Sequence, residues 1–208
     1  MRKHIRIIAS LLLTLATSTV FAQIKADDLV KKTVKSIRDH KNVEMTFTYQ
    51  YVSDAPFPTE EQQGKAFLQG ESYKVILNEQ QTISDGKTIW SYLVDDKEVM
   101  VSNATDGADN TPLKLITLLD KEYAAQLLHT DSNGMSHLAL TNPNGQYKRI
   151  TVTIDSKKEA LKSAEIFADD NSKMVIDINE MKYDQDLKDD FFRFDEKAYP
   201  NVDIIDMR

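Results

Sequence analysis

The side chains that could carry out acid, base or metal chemistry are few and far apart in this chain of 208 residues. After the first residues only His40, His129 and His137 remain, and none has the His-Glu-x-x-His spacing of a zinc site. We interpret His40 as following a helix, His129 as lying in a turn and His137 as lying on a strand. The six glycines are scattered, so the sequence has no phosphate-binding loop, and it has no Gly-x-Ser-x-Gly elbow.

An acidic run near the C-terminus is the other candidate for metal binding. Its carboxylates, at Asp184, Asp186, Asp189 and Asp190, lack the glycine and the distal glutamate of an EF-hand calcium loop. The chain contains no cysteine, so it has neither a thiol nucleophile nor a disulfide. The sequence therefore predicts a protein that is not an enzyme and that uses neither a cofactor nor a metal.

The N-terminus has the pattern of a secretory signal. Basic residues precede an apolar stretch from Ile7 to Leu15, and small residues follow up to Ala22. The apolar stretch is shorter than the roughly 20 residues that span a bilayer. We expect residues 1–22 to be removed and residues 23–208 to form a single domain in the periplasm; the alternative is an uncleaved anchor.

The net negative charge of the chain limits the kinds of partner that it can bind. The chain has a formal net charge of −7, and the predicted signal contains basic residues but no acidic ones, so its removal makes the protein more acidic. Nucleic-acid binding depends on basic surfaces that neutralise phosphates. We therefore expect no nucleic-acid partner, and an anionic membrane surface is disfavoured for the same reason.

The hydrophobic pattern changes period early in the chain. Apolar residues recur every three or four positions between Ala26 and Asp39, which predicts an amphipathic helix. From Val43 to Tyr51 the apolar and aromatic residues alternate with polar ones, which predicts a long strand with one apolar face. Alternation and turn residues predict further strands as far as Ser102.

A hairpin is predicted at the centre of the chain. Asp85-Gly86 lies between alternating apolar segments, and this dipeptide favours a type I′ turn because both central residues need positive φ. Downstream, Thr111 is a suitable N-cap and Pro112 suits the first position of a helix that continues to Leu119. The segment from Tyr123 to Leu128 is interpreted as an extension of that helix or as a second helix.

The hydrophobic pattern of the rest of the chain predicts further strands joined by short turns. Strands that are joined by short turns pair antiparallel. About ten strands in one domain curl or close rather than remain a flat sheet. We expect a mainly β (α+β) fold, a curved and incompletely closed antiparallel β-barrel with helices over its concave side or mouth. Whether the interior is a packed core or a binding cavity stays open from composition alone.

Three motifs in this chain form a recognisable set. The first is the central Ser-Asp-Gly-Lys-Thr hairpin at residues 84–88, which is followed by Trp90 and Tyr92. The others are Asn110-Thr111-Pro112 and the ending Phe192-Arg193-Phe194 with Val202-Asp203. Together they resemble the outer-membrane lipoprotein carrier (LolA) family. The resemblance implies a LolA/LolB-like barrel with a helical lid and an N-terminal helix, which shields the acyl chains of a lipoprotein.

The resemblance also implies partners and a site. The implied partners of a monomeric carrier are acylated lipoprotein cargo, an inner-membrane ABC transporter (LolCDE) and an outer-membrane acceptor (LolB). Ten apolar or aromatic residues are implied to line the cavity: Phe47, Tyr49, Tyr73, Val75, Leu77, Trp90, Tyr92, Leu113, Ile116 and Leu119. Many family members tether the lid with an arginine on the strand before the hairpin. Lys74 is the candidate here, although it shares a strand face with Ile76 rather than Tyr73.

Two other functions are consistent with the same residues. The fold could bind a different amphiphile, such as a glycolipid or an acylated intermediate. Alternatively, the protein could be a non-enzymatic sensory or protein-interaction module of the periplasm. An apolar cavity is chemically permissive, so the sequence separates these hypotheses poorly.

Overall fold

The structure is a computed structural model. It describes residues 25–53, 61–104, 119, 123–145, 147, 149–168, 170 and 172–208. The predicted signal peptide, the predicted helix opening at Thr111-Pro112, and its residues Leu113 and Ile116 lie outside the described residues. No helix in the described ranges combines the length and apolar character that a membrane span requires.

The first element is helix α1, residues 25–38, as its apolar period predicts. The apolar residues of its buried face are Ala26, Val30, Val34 and Ile37. The Asp27 carboxylate accepts a hydrogen bond from the backbone N–H of Ala125 at 2.8 Å. Asp27 therefore links the start of α1 to the strand that begins at residue 124.

The strands form one sheet, whose members in the described residues are β1 (Val43–Val52), β2 (Glu61–Gln69), β3 (Ser72–Ile76), β4 (Gln80–Ser84), β5 (Thr88–Leu93), β6 (Glu98–Asn103), β7 (Ala124–Thr130), β8 (Met135–Thr141), β9 (Arg149–Asp155), β10 (Ala160–Phe167), β11 (Lys173–Tyr183) and β12 (Asp203–Asp206). The order across the sheet is β12-β6-β5-β4-β3-β2-β1-β11-β10-β9-β8-β7. Two antiparallel meanders, β1 to β6 and β7 to β11, are joined by pairing of β1 with β11. The sheet is a curved, open barrel, which confirms the predicted fold class.

Two local predictions are wrong. The segment from Tyr123 to Leu128 is not helical, because residues 124–130 form β7 and pair with β8. His129 consequently lies on a strand, where it stacks on His137 with ring centroids 4.3 Å apart. The segment's local pattern was compatible with a helix, but the cross-strand hydrogen bonds to β8 determine its structure.

The central hairpin forms, but with a different turn. Of its loop residues, Gly86 has positive φ (86°), while Asp85 and Lys87 do not, so the turn is not type I′. The Asp85 carboxylate accepts hydrogen bonds from the backbone N–H groups of Lys87 at 3.0 Å and Thr88 at 2.9 Å. Asp85 therefore has the structural role of a turn residue that bonds its own backbone.

The C-terminal strand adds a pairing that the sequence did not predict. β12 lies parallel to β6, with Ile204 opposite Val99 and Ile205 opposite Met100. A short 3-10 helix, Glu196–Ala198, precedes it, and the side chain of Asp195 caps this helix by accepting from the Lys197 backbone N–H. The C-terminal segment thus crosses back to the strand that is farthest from β1 in the first meander.

Candidate functional site

Two separate groups of apolar side chains occupy the two faces of the sheet. The main core is the larger group, and it includes the buried face of α1 together with side chains from β1, β2, β3 and β8 to β10. We call the sheet face that contributes to it the helix-side face, and the opposite face the outer face. The second core lies on the outer face and consists of Ile83, Val99, Val101 and Phe194, with Trp90, Tyr92, Tyr199 and Val202 packed against it.

Strand register assigns residues to these faces. Tyr73 is opposite Ser84 across the β3–β4 pair, and Ser84 is opposite Ile89 across the β4–β5 pair. Since side chains on a strand alternate between faces, Tyr73 and Trp90 point to opposite sides of the sheet. Lys74 is opposite Ile83, which places it on the outer face with the second core.

Six of the predicted lining residues lie in or against the main core. Phe47, Tyr73 and Leu119 are buried in it, while Tyr49, Val75 and Leu77 are partly buried and pack against it. The structure therefore brings the five sheet residues together on the helix-side face, and Leu119, which is helical, is buried against the same core. Their role as a lining for bound lipid remains a prediction.

The expectation that Trp90 and Tyr92 share this face is wrong. Both pack against the second core, where the Tyr92 ring centroid lies 6.1 Å from that of Phe194 and 5.0 Å from that of Tyr199. The Tyr199 hydroxyl donates to the Gln81 side-chain oxygen at 3.3 Å. The aromatic character of Trp90 and Tyr92 therefore serves to hold the C-terminal segment on the outer face.

The predicted contact of Lys74 with a lid stays a prediction, because the predicted lid opening lies outside the described residues. Its ammonium group lies 5.2 Å from the ring centroid of Phe191, on the face opposite Tyr73. Burial lowers the pKa of Lys74. Among the described residues, Phe191 of the C-terminal segment is therefore a neighbour of Lys74, on the face that strand alternation assigns to Lys74 and Ile76.

Gly64 determines how Phe47 and Leu77 meet on the helix-side face. Phe47 is opposite Gly64 in the β1–β2 pair. A Cβ atom added at Gly64 would lie 2.3 Å from Cζ of Phe47 and 2.9 Å from Cδ2 of Leu77. Both side chains therefore occupy the space that a side chain at position 64 would need, and Phe47 of β1 approaches Leu77, which follows β3, across β2.

Next to the contact between Phe47 and Leu77, several apolar side chains of the helix-side face are only partly buried. Ile176 is opposite Tyr49 and Ile178 is opposite Phe47 across the β1–β11 pair. We define the open apolar patch as the following partly buried residues of the helix-side face: Tyr49, Val75, Leu77, Met174, Ile176 and Ile178. Burial, with a smaller contribution from nearby Tyr51, raises the pKa of Tyr49, so its hydroxyl stays neutral.

The β11 members of this patch were missed as site residues. Met174, Ile176 and Ile178 alternate with Val175, Asp177 and Asn179, which is the signal that predicted a strand over this segment. Alternation places the three on one face but does not identify the neighbouring strand. Pairing of β11 with β1, more than 120 residues earlier, makes them part of the patch.

Polar chemistry is sparse around the patch. In the part of the chain that the structure describes, no three His, Asp or Glu side chains gather in a metal-binding arrangement. One polar cluster lies at the end of α1, where the His40 imidazole is 2.8 Å from the Asp184 carboxylate and stacks on Tyr183. The His40 hydrogen bond, followed by that from the Lys41 N–H, holds the pKa of Asp184 below its usual value. This cluster ties α1 to β11.

Solved structures share the fold at low sequence identity. A protein from Thermus thermophilus matches with a TM-score of 0.58 and 10% identity, over 88% of this chain and 99% of that one. A DUF1329 family protein from Desulfovibrio piger matches with a TM-score of 0.50 and 14% identity, over 86% and 99% of the two chains. A LolA superfamily protein from Nitrosomonas europaea gives 0.45 and 14%, over 82% and 98%.

Comparison with curated proteins finds no match. The family described as "Outer membrane lipoprotein carrier protein LolA" matches residues 77–195, which is more than half of the chain. The matched range runs from Leu77 on the open apolar patch to the C-terminal segment that covers the second core. The chain therefore belongs to the outer membrane lipoprotein carrier protein LolA family.

Proposed function

We propose that this protein is a periplasmic carrier that binds the acyl chains of lipoproteins at the open apolar patch and moves them from the inner to the outer membrane. The single observation that carries the proposal is a continuous run of apolar side chains on the helix-side face, in which the buried Phe47 lies between the partly buried Leu77 and Ile178. Membership of the LolA family supports the same function. The proposed carrier does not catalyse a reaction.

The physical requirement for such a carrier is simple. Each methylene exposed to water costs about 0.8 kcal/mol, so an acyl chain cannot cross an aqueous compartment unless an apolar surface covers it. In this curved open sheet, the side chains of the open apolar patch are only partly buried, so they are available to cover an acyl chain. The proposed donor and acceptor are a LolCDE-like transporter and a LolB-like protein.

The first test places a charge on the patch. Ile176→Asp is expected to weaken binding of a triacylated lipopeptide at least tenfold, because an ionised carboxylate among apolar groups must be desolvated when an acyl chain covers it. Displacement of an environment-sensitive fluorescent fatty acid measures the affinity. Circular dichroism and thermal unfolding establish that the variant is folded.

Ile204→Asp is the matched control for this change. Ile204 lies on β12 and is 44% exposed, outside the main core, and its variant is expected to bind like the unaltered protein. Equal binding by a folded Ile176→Asp variant and the control variant would contradict the proposal. Native mass spectrometry of the periplasmic protein then identifies the cargo: bound acylated protein supports the carrier role, and a free glycolipid supports a carrier of another amphiphile.

The single tryptophan provides a second prediction. Trp90 packs against the second core, on the face opposite the patch. Its emission maximum is therefore expected to stay essentially unchanged when the lipopeptide saturates the protein, since emission responds to local polarity. A large shift on binding, at constant circular dichroism, would mean that the ligand contacts the outer face instead.

A further inference from the structure

One edge of the sheet is exposed in a form that fits a second copy of this chain. β7 is the last strand in the sheet order, and among the described strands it pairs with β8 alone. We propose that two copies of the protein associate through this edge, with their β7 strands paired antiparallel about a two-fold axis near Leu128. The sheet of one copy then continues into the sheet of the other. The family resemblance implies a monomer, so the proposed dimer departs from it.

The first observation is the exposure of β7. Six of its seven residues are exposed, and Ala125 is the buried one. Its side chains contact its hairpin partner: the Thr130 hydroxyl oxygen lies 3.0 Å from that of Ser136, and His129 stacks on His137. β7 is therefore fixed in place by β8, while no strand of the described residues lies along its other edge.

The second observation concerns the backbone hydrogen bonds at this edge. The N–H of Ala125 points away from β8, because it donates to the Asp27 carboxylate at 2.8 Å. Residues of an antiparallel strand bond alternately to one side and to the other, so the N–H and C=O of Leu127 point the same way as those of Ala125. Leu128 is the extra residue at the register shift between Leu127 and His129, and no residue of β8 is opposite it. The edge therefore offers donors and acceptors to which another strand can bond.

The third observation is that β7 has none of the side chains that normally prevent edge pairing. Charged residues, above all lysine, and proline keep exposed edges apart in natural sheets. The strand sequence Ala-Ala-Gln-Leu-Leu-His-Thr contains no Asp, Glu, Lys, Arg or Pro. At the opposite edge, β12 begins with Asp203 and ends with Asp206, and these two carboxylates would face each other and repel in a two-fold pair. Of the two edges, β7 is therefore the one that can pair with its own copy.

The neutrality of β7 also favours a second copy over a charged peptide. A strand without carboxylate or ammonium groups has nothing to select an acidic or basic segment, whereas its own copy brings an equally neutral strand. A two-fold axis at the middle of the exposed run 126–130 places Leu128, which is 53% exposed, beside its own copy. Leu127, which is 36% exposed, lies next to the axis. Burial of these leucines adds an apolar contribution to the backbone hydrogen bonds.

The size and surroundings of the edge predict weak association. Two paired five-residue runs bury less than the roughly 1,600 Å² of a standard interface, and the register shift at Leu128 bends the strand. Acidic residues lie at both ends of β7, since Asp27 contacts Ala125 and Asp131 follows Thr130. Opposite ends meet in an antiparallel pair, so these carboxylates repel. We therefore expect a dissociation constant of about 10–100 µM, and we expect added salt to tighten the dimer.

The test reverses charge at the two-fold axis. Sedimentation velocity over protein concentrations from about 1 to 300 µM measures dimerisation. Leu128→Glu and Leu128→Lys are each expected to weaken dimerisation at least tenfold, because like charges then meet at the axis. An equal mixture of the two variants is expected to restore dimers, since glutamate then faces lysine. Position 128 is exposed, so both variants are expected to fold, and circular dichroism verifies this.

Ile204→Lys is the matched control, because Ile204 is an exposed residue of β12 at the opposite edge of the sheet. This variant is expected to dimerise like the unaltered protein. The inference would be overturned by an unaltered protein that stays monomeric, by Leu128 variants that dimerise undiminished, or by a mixture that stays monomeric. Species larger than dimers that disappear in Ile204→Lys would also overturn it, because they mean that β7 pairs with β12 of the next copy. None of these results depends on lipopeptide binding, so the carrier function is tested separately.

Discussion

Phe194→Ala is expected to lower the free energy of unfolding by about 3–5 kcal/mol, which is the cost of removing a buried phenyl ring and leaving a cavity. Phe194 is 9% exposed and is the C-terminal member of the second core. Its ring stacks on that of Tyr199 with centroids 5.0 Å apart and an interplanar angle of 19°. Loss of the ring removes a buried apolar contact between the C-terminal segment and the sheet.

Urea unfolding followed by circular dichroism measures this change, and Trp90 emission provides a local signal. Because Trp90 packs against the same core, its emission is expected to move to longer wavelength in the folded variant. Phe191→Ala is the control, since Phe191 is only partly buried and contacts Phe67 at a centroid distance of 4.8 Å. A loss below about 1 kcal/mol for Phe194→Ala would show that the segment is not held by this ring.

Asn42→Ala is expected to lower the free energy of unfolding by about 2–4 kcal/mol, because it removes two hydrogen bonds made by a buried side chain. Asn42 is 1% exposed. Its amide nitrogen donates to the backbone oxygen of Gln185 at 2.8 Å, and its amide oxygen accepts the Gln185 backbone N–H, also at 2.8 Å. In the variant both backbone groups of Gln185 lose these partners while they remain partly buried.

The position of Asn42 explains the size of this effect. It joins the segment after α1 to the segment after β11, so it holds the end of the helix against β1 and β11, the pair that joins the two meanders. Asn179→Ala is the matched control: Asn179 is exposed, although it donates to Thr48 at 3.2 Å and to Gln63 at 3.3 Å. We expect it to change stability by about 0.5 kcal/mol or less. Similar losses for both variants would contradict the argument from burial.

Local patterns predicted most of the elements correctly. The three-to-four period between Ala26 and Asp39 identified α1 and its buried face, because a helix repeats at 3.6 residues whatever it packs against. Period-two alternation identified β1 and β11 for the corresponding reason. Asp85 was also interpreted correctly as a turn residue, since its bonds to Lys87 and Thr88 are made within four residues of the chain.

The sequence did not assign faces correctly. Alternation showed that Trp90 and Tyr92 lie on the same face of the sheet, but it did not show whether Tyr73 lies on that face as well. The relation depends on register across the β3–β4 and β4–β5 turns, and the predicted type I′ turn did not form. Lys74 is an exception. It is adjacent to Tyr73 on one strand, so alternation alone predicts that the two side chains point to opposite faces, and no knowledge of strand register is needed.

Long-range pairing was decided by the tertiary structure alone. β12 lies parallel to β6, and β7 forms a strand where the local pattern suggested a helix. The open apolar patch is likewise the product of β1 meeting β11, which places Ile176 beside Tyr49. The sequence by itself determined α1, strands such as β1 and β11, and the apolar face of each, because those properties depend on neighbours a few residues away. Which apolar faces share a core, and which are only partly buried, depends on contacts between residues that the chain separates widely, so only the tertiary structure decided them.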